Sequence, residues 1–406
     1  MAVSSVQRSV RVVVRDPGLG QSRLTVFFRA LLALPHLVWL VLWSVPATIA
    51  AWAGWLATLV LGRLPEPLHR FLAAYLRYDV HVFAYLFLAA RRFPGFLGRP
   101  GYEVDLEIDP PAEQRRLGVL FRQLLASPAA LLAIVIGSGL VWFALLAWWS
   151  ALARGRRPAG IRDFTAYGLG YSAQHGAYTM LLTSRYPHAG PQLTLPSFEL
   201  PPHPVRLRMT DDLRRSRLTV FFRLLLALPH LVWLWLWSIA ALVAVVVAWL
   251  VALVLGSVPQ TLHRFLAAYT RYAAHVTAFV MVVGGPFPAF GGGARAYPVD
   301  LEIDQAAPQR RLVTLFRLFL AVPALILGYP LALALVLVAV GGWLYALVLG
   351  RVPEGLRDLG AAIVRYQAQT NAYLLLVTDR YPYSSPALAT RASSEEPAPS
   401  LAVATS

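Results

Sequence analysis

The sequence predicts an all-α multi-pass membrane protein. It should have about eight transmembrane helices plus interfacial helices, short β-strands forming a small extramembrane sheet, and a pseudo-fourfold internal repeat. Three observations lead there. Of 406 residues, 58% are hydrophobic and only 14% charged, against roughly a quarter charged in soluble domains. The stretches HLVWLVLWSVPATIAAWAGWLATLVL from His36 and HLVWLWLWSIAALVAVVVAWLVALVLG from His230 hold no carboxylate, lysine or arginine, and each exceeds the ~20 residues that cross a bilayer. The pattern F-R-x-x-x-A-x-P occurs four times, at Phe28, Phe121, Phe222 and Phe316.

The rest of the chain keeps that register. Gly62-x-x-Pro65, Gly155-x-x-Pro158, Gly256-x-x-Pro259 and Gly350-x-x-Pro353 follow at one spacing, and each copy closes on an aromatic-proline pair. Repeats of this kind define the architecture before any single motif does. Four units are expected at residues 8–98, 99–192, 203–292 and 296–385, with 386–406 a disordered tail of Ala, Ser, Pro and Glu. Units one and three share HRFLAAY, whereas units two and four read IRDF and LRDL there, so an odd-even pair has been duplicated.

Each unit opens on an alternating segment, VRVVVR from Val10, VDLEID from Val104 and Val299, and VRLRM from Val205. Period-two alternation predicts a strand. The odd copies are basic and the even ones acidic, so odd strands should lie beside even strands with charges facing across. RLTVFFRALLAL then reads as an interfacial helix that Pro35 ends or kinks, because proline lacks an N–H and clashes with the preceding turn. The apolar stretch crosses, the Gly-x-x-Pro turn reverses the chain, and a more polar helix from about Pro67 returns. Two crossings per unit bring every strand and both termini to one face, and the arginine excess there predicts a cytoplasmic face.

Charge excludes several functions. The net +16 comes wholly from arginine. Those arginines flank hydrophobic segments instead of forming an arm or stripe, which argues for anionic lipid headgroups and against nucleic acid. With no cysteine there are no disulfides or thiolate sites, and the first 23 residues lack the apolar core of a secretory signal. No paired carboxylates, phosphate loop or serine elbow stands where it would be informative, so no catalytic residue, cofactor or metal is expected.

Three sets of side chains remain as candidates. Arg29, Arg122, Arg223 and Arg317 should snorkel to headgroups or bind an anion. Arg77, His81, Gln174, Arg271, His275, Arg365 and Gln369 place polar groups at membrane depth, where they either bond between helices or line a path. Arg70, Asp163, Arg264 and Asp358 alternate in sign at equivalent positions and should form ion pairs between units.

The phrases FRLFLAVPALIL at Phe316, GRVPEGLRDL at Gly350 and NAYLLLVTDRYP at Asn371 together resemble a bacterial membrane protein family, domain of unknown function 4389. The resemblance is clearest in unit four; unit two lacks an arginine before Tyr171, and unit three reads GGPFP where TDRYP would stand. It implies a membrane assignment and supplies no catalytic residues. The leading expectation is a non-catalytic scaffold or lipid- or partner-binding module of the bacterial plasma membrane, the protein partner unknown. A transporter or channel lined by the return helices comes second, and an intramembrane enzyme third.

Overall fold

Four runs of 33 residues dominate the structure because leucine, alanine, valine and tryptophan fill them and glycine ends each one. The computed structural model describes residues 9–15, 18–191 and 203–386, so the expected tail lies outside the described residues apart from Pro386. Unit one comprises β1 (Val10–Val14), a lead-in turn α1 (Arg23–Phe27), the long helix α2 (Arg29–Leu61) and the return helix α3 (Glu66–Leu86). Unit two repeats this as β2 (Val104–Ile108), α4 (Arg116–Leu120), α5 (Arg122–Arg154) and α6 (Ala159–Thr179). Unit three has β3 (Val205–Met209), α7 (Arg217–Phe221), α8 (Arg223–Leu255) and α9 (Gln260–Val280); unit four has β4 (Val299–Ile303), α10 (Arg311–Leu315), α11 (Arg317–Leu349) and α12 (Glu354–Leu374).

The Gly-x-x-Pro turn works through two fixed dihedrals. Gly62 stands at φ 75° and ends α2 in the left-handed conformation that a Cβ disfavours. Pro65 then supplies the φ of −58° from which α3 starts, as Pro158, Pro259 and Pro353 do for the other return helices. Pro35 does not end a helix. It lies inside α2, and the break falls earlier, at Phe28 with φ −90° and ψ 6°, while Leu32 N still donates to Phe28 O at 2.9 Å.

Odd strands lie beside even ones, as the charge pattern predicts, but in two separate sheets. β1 pairs antiparallel with β2, Arg11 opposite Glu107, and β3 pairs antiparallel with β4, Arg206 opposite Glu302. Across the first sheet Arg11 stands 3.5 Å from Glu107 and Arg15 3.4 Å from both Asp105 and Glu107, and across the second Arg206 stands 2.7 Å from Asp304.

The two units of a pair run in opposite directions. Gln114 N donates to Gly62 O at 2.8 Å and Gln21 N to Gly155 O at 2.8 Å; Gln309 N to Gly256 O and Arg215 N to Gly350 O repeat the bond in the second pair. The turn of each unit therefore sits where its partner's long helix begins. Arg23 and Arg116 lock these ends by donating to Ala153 O and Val60 O in the last turns of the facing helices. Trp55 and Trp148 reach across from near those ends to Val119 O and Val26 O.

That arrangement corrects the topology expected from sequence. The four Gly-x-x-Pro turns do not share a face, because the partner's antiparallel run carries its turn to the far end. Length and composition qualify four helices to cross a membrane, Arg29–Leu61, Arg122–Arg154, Arg223–Leu255 and Arg317–Leu349, and the return helices are not among them.

Each pair is layered: long helices, then return helices, then sheet. Gly98, between α3 and β2, has φ 57°, and a Cβ there would stand 2.2 Å from Ala74 O, so glycine alone lets the connecting loop press onto α3. The pairs join where α5 crosses α11, with a Gly139 Cβ position 3.1 Å from Pro330. At the same seam Gly160 of α6 abuts Ser384 and Ser385, while Gly355 of α12 abuts Ala189 and Gly190. The main core runs between these layers through both pairs.

Candidate functional site

Two features stand out: an uncovered apolar layer, and polar junctions buried behind it. Among the described residues the exposed large apolar side chains lie on the long helices, their lead-in turns and the loops after the return helices; α3, α6, α9 and α12 contribute none. On α2 they run from Leu31 through Leu42, Ile49 and Leu56 to Leu61, on the side opposite the buried Ala33, His36, Leu40, Ala47 and Gly54. Phe93, Phe96, Phe287 and Phe290 in the loops extend this surface. No long helix carries a carboxylate, and their arginines stand only at first or last positions.

The conserved-spacing arginines are not on that surface. Arg29, Arg122, Arg223 and Arg317 are only 2–3% exposed. Arg29 Nη1 donates to Tyr85 O at 2.8 Å and Ala90 O at 2.9 Å, its Nη2 to Gln21 Oε1, and the guanidinium lies 4.5 Å from the Tyr85 ring centroid. Arg122 bonds Thr183 O and Gln114, Arg223 bonds Phe279 O and Gly284 O, and Arg317 bonds Tyr373 O and Thr378 O, each over the corresponding ring. They cap return helices. The carbonyls at a helix C-terminus lack intrahelical partners and carry partial negative charge, and two residues past the end of each return helix stands a non-glycine residue at positive φ, Leu88, Leu181, Val282 and Leu376. The headgroup role expected from sequence is thereby corrected.

The polar side chains of the return helices tie them to the strands. His81 Nε2 lies 3.0 Å from Asp105 Oδ1 of β2, and Asp105 Oδ2 accepts the Gly101 N–H at 2.6 Å. Arg77 Nε donates to Leu106 O at 2.9 Å and stands 3.7 Å from Asp105. Unit three repeats this with His275 to Asp300 at 2.7 Å and Arg271 donating to Leu301 O at 3.0 Å. Burial alone would raise the Asp105 and Asp300 pKa, but hydrogen bonds from the histidines and from backbone N–H groups outweigh it and hold both carboxyls below the usual range. In the even units Gln174 Oε1 accepts from His188 N, Gln369 donates to Val205 O and accepts from Tyr383 N, and Arg365 donates to Ser385 O.

These groups are not brought together around one cavity; each set closes locally. The alternating-sign quartet is also resolved otherwise than expected. Arg70 pairs with Glu66 one turn back, Asp163 with Arg162 and Asp358 with Arg357, all within one helix, and Asp163 also reaches another unit, accepting from the Tyr383 hydroxyl at 3.3 Å. Arg264 is exposed at the matching position of α9. Among the described residues no group of three His, Asp or Glu is placed to hold a metal.

Sequence reasoning missed Asp105 and Asp300 as histidine partners, and it missed a second histidine pair. His36 Nδ1 and the Tyr78 hydroxyl are 2.7 Å apart, as are His230 Nδ1 and the Tyr272 hydroxyl, with Phe96 and Phe290 stacked on the imidazoles. In the even units Tyr171 and Tyr366 donate to Ala129 O and Ala324 O instead. The signal was present as a tyrosine 42 positions after the proline-adjacent residue in all four units.

Comparison with known proteins gives one result. The family model for a domain of unknown function, DUF4389, matches residues 23–97, 116–189, 217–289 and 311–385. No curated protein and no solved structure shows significant similarity to the chain.

Proposed function

The chain belongs to the DUF4389 family, and on that premise we propose that it is a non-catalytic membrane-attached scaffold: its layer of long helices is buried in lipid and its paired sheets form a contact surface. The observation that carries this is the confinement of exposed large apolar side chains to the long helices and their flanking loops. Monomeric proteins rarely leave so extended an apolar face open to water unless it meets a membrane or partner. The setting is the bacterial plasma membrane, with the sheets and termini toward the cytoplasm.

Local closure of the polar groups favours this reading over transport. A path needs side chains that converge on shared water, whereas His81 bonds Asp105, Arg77 donates to Leu106 O and Gly98 O, and the glutamines bond loops of the strand layer. Such bonds are worth about 0.5–2 kcal/mol each in helical bundles and need no substrate.

The test is retention. The expressed chain should stay in the membrane pellet after an alkaline carbonate wash and release only with detergent. Recovery in the carbonate supernatant would overturn the proposal.

A further inference from the structure

We infer that the protein lies flat in one leaflet, its long helices parallel to the bilayer plane, and that no helix crosses. This deepens the membrane reading above and rests on it.

The path of β2 carries the argument. Its flank near Glu103 meets Arg91 N and Arg15 N, beside the C-terminal end of α3. Asp105 meets His81, Leu106 meets Arg77, and Asp109 sits beside His69 near the N-terminal end of α3. The strand thus runs along α3, opposite in direction, over most of its length. α3 in turn runs along α2, with Arg29 at Tyr85, His36 at Tyr78 and Trp43 against Phe71. Any bilayer that α2 crosses must therefore be crossed by the sheet as well.

The sheet cannot do so. Arg11, Arg15, Glu107, Arg206, Glu302 and Asp304 are 43–49% exposed on it. β1 and β2 form an open two-stranded sheet, as do β3 and β4, and open edges leave backbone groups that hydrocarbon cannot satisfy. Turned flat, the same molecule meets every requirement. The charge-free apolar face enters the acyl chains, and the sheet faces water.

Length agrees. The exposed apolar face of α2 runs from Leu31 to Leu61, about 45 Å at ~1.5 Å per residue, beyond the ~30 Å hydrocarbon core. A flat helix needs no such match. Exposed arginines at the helix ends, Arg63, Arg154 and Arg156, with Arg351 in the second pair, then stand at the rim of the face, where anionic phosphates of the same leaflet lie. The occupant of the apolar face is accordingly one leaflet of an anionic bilayer.

The absence of cysteine makes the test direct. Single-cysteine chains R63C, R156C, R11C and L42C would be reconstituted in sealed vesicles of phosphatidylglycerol and phosphatidylethanolamine and treated with a membrane-impermeant maleimide. Arg63 follows the end of α2 and Arg156 the end of the antiparallel α5, so a crossing places them on opposite sides, whereas the flat arrangement labels both, and Arg11, from one side, with Leu42 protected. Labelling of R63C and R156C from opposite sides overturns the flat arrangement and leaves membrane attachment standing. Protection of L42C in vesicle-free protein, with the chain in the carbonate supernatant, means that a second copy covers the face and overturns both.

Discussion

The Arg29 guanidinium lies 4.5 Å from the Tyr85 ring centroid while its Nη1 donates to the Tyr85 main-chain carbonyl at 2.8 Å, so one side chain grips both parts of the same residue. Arg223 at Phe279 and Arg317 at Tyr373 repeat the grip, Arg122 lies over Tyr178 while bonding Thr183 O, and in every unit the arginine holds the end of the return helix to the start of its long helix. Arg29→Met keeps most of the apolar stem and removes two charge-assisted bonds to backbone carbonyls, worth about 1.5–3 kcal/mol each when made. The expected loss is about 3 kcal/mol of stability in detergent, with part of it leaving Tyr85 O and Ala90 O unpaired. Denaturation of the variant and of Arg29→Lys, which cannot fork, checks this; equal stability of Arg29→Met and the parent chain would contradict the capping role.

Acid should loosen the sheets from the return helices. The Asp105 and Asp300 carboxyls titrate below their usual range, so their ionised forms contribute stability that is present above the ordinary carboxylate pKa of ~4. It is lost as pH falls through the depressed value. Groups facing Asp105 are His81, Arg77 and Arg15. Asp105→Asn with Asp300→Asn should flatten the pH dependence of thermal unfolding below about pH 4. An unchanged acid limb would place the titration elsewhere.

Two glycines separate crowding from strain. Gly98→Ala puts a Cβ 2.2 Å from Ala74 O at φ 57°, whereas Gly62→Ala meets open space at φ 75°. The first should cost about 2–4 kcal/mol and the second about 1 kcal/mol, overpacking adding to left-handed strain only at Gly98. Matched unfolding measurements decide it, and equal costs would mean that the 98–101 loop yields.

Charge on the long-helix face should act on membranes and not on the fold. Val38→Glu with Leu42→Glu alters exposed positions of α2, so the far-ultraviolet dichroism in detergent should hold while binding to vesicles falls at least tenfold. The same change at Arg11, on the sheet, should leave binding unchanged within about twofold. Binding losses of equal size from both faces would refute a one-sided attachment.

Much of the fold is legible because the repeat is covalent: four copies in register show the unit, and the sign of Arg11 against Glu107 shows which strands pair. Direction is not legible, since the bond from Gln114 N to Gly62 O uses backbone groups that any sequence offers. Arg29 misleads for a related reason. In sequence it is a cation in an apolar run, and the carbonyls that it satisfies exist only once the helix ending at Leu86 has stopped. Asp105 shares a strand face with Glu107, yet the loop at Gly101 covers it and turns it to His81, which local alternation does not encode. Proline was over-read, because Pro35 falls in the second turn of a helix whose break lies at Phe28.

Hydropathy alone cannot tell an apolar helix that crosses from one that lies flat, and charge cost separates them. Six exposed charges on the sheets, at roughly 2.5–3.5 kcal/mol apiece near the bilayer centre, exceed the 5–15 kcal/mol that holds a folded protein together. Polarised infrared dichroism of the amide I band in oriented bilayers measures this most directly, because the long helices dominate the helical signal and each return helix runs along its own long helix. The account predicts transition moments lying in the membrane plane. Moments aligned with the bilayer normal would contradict it.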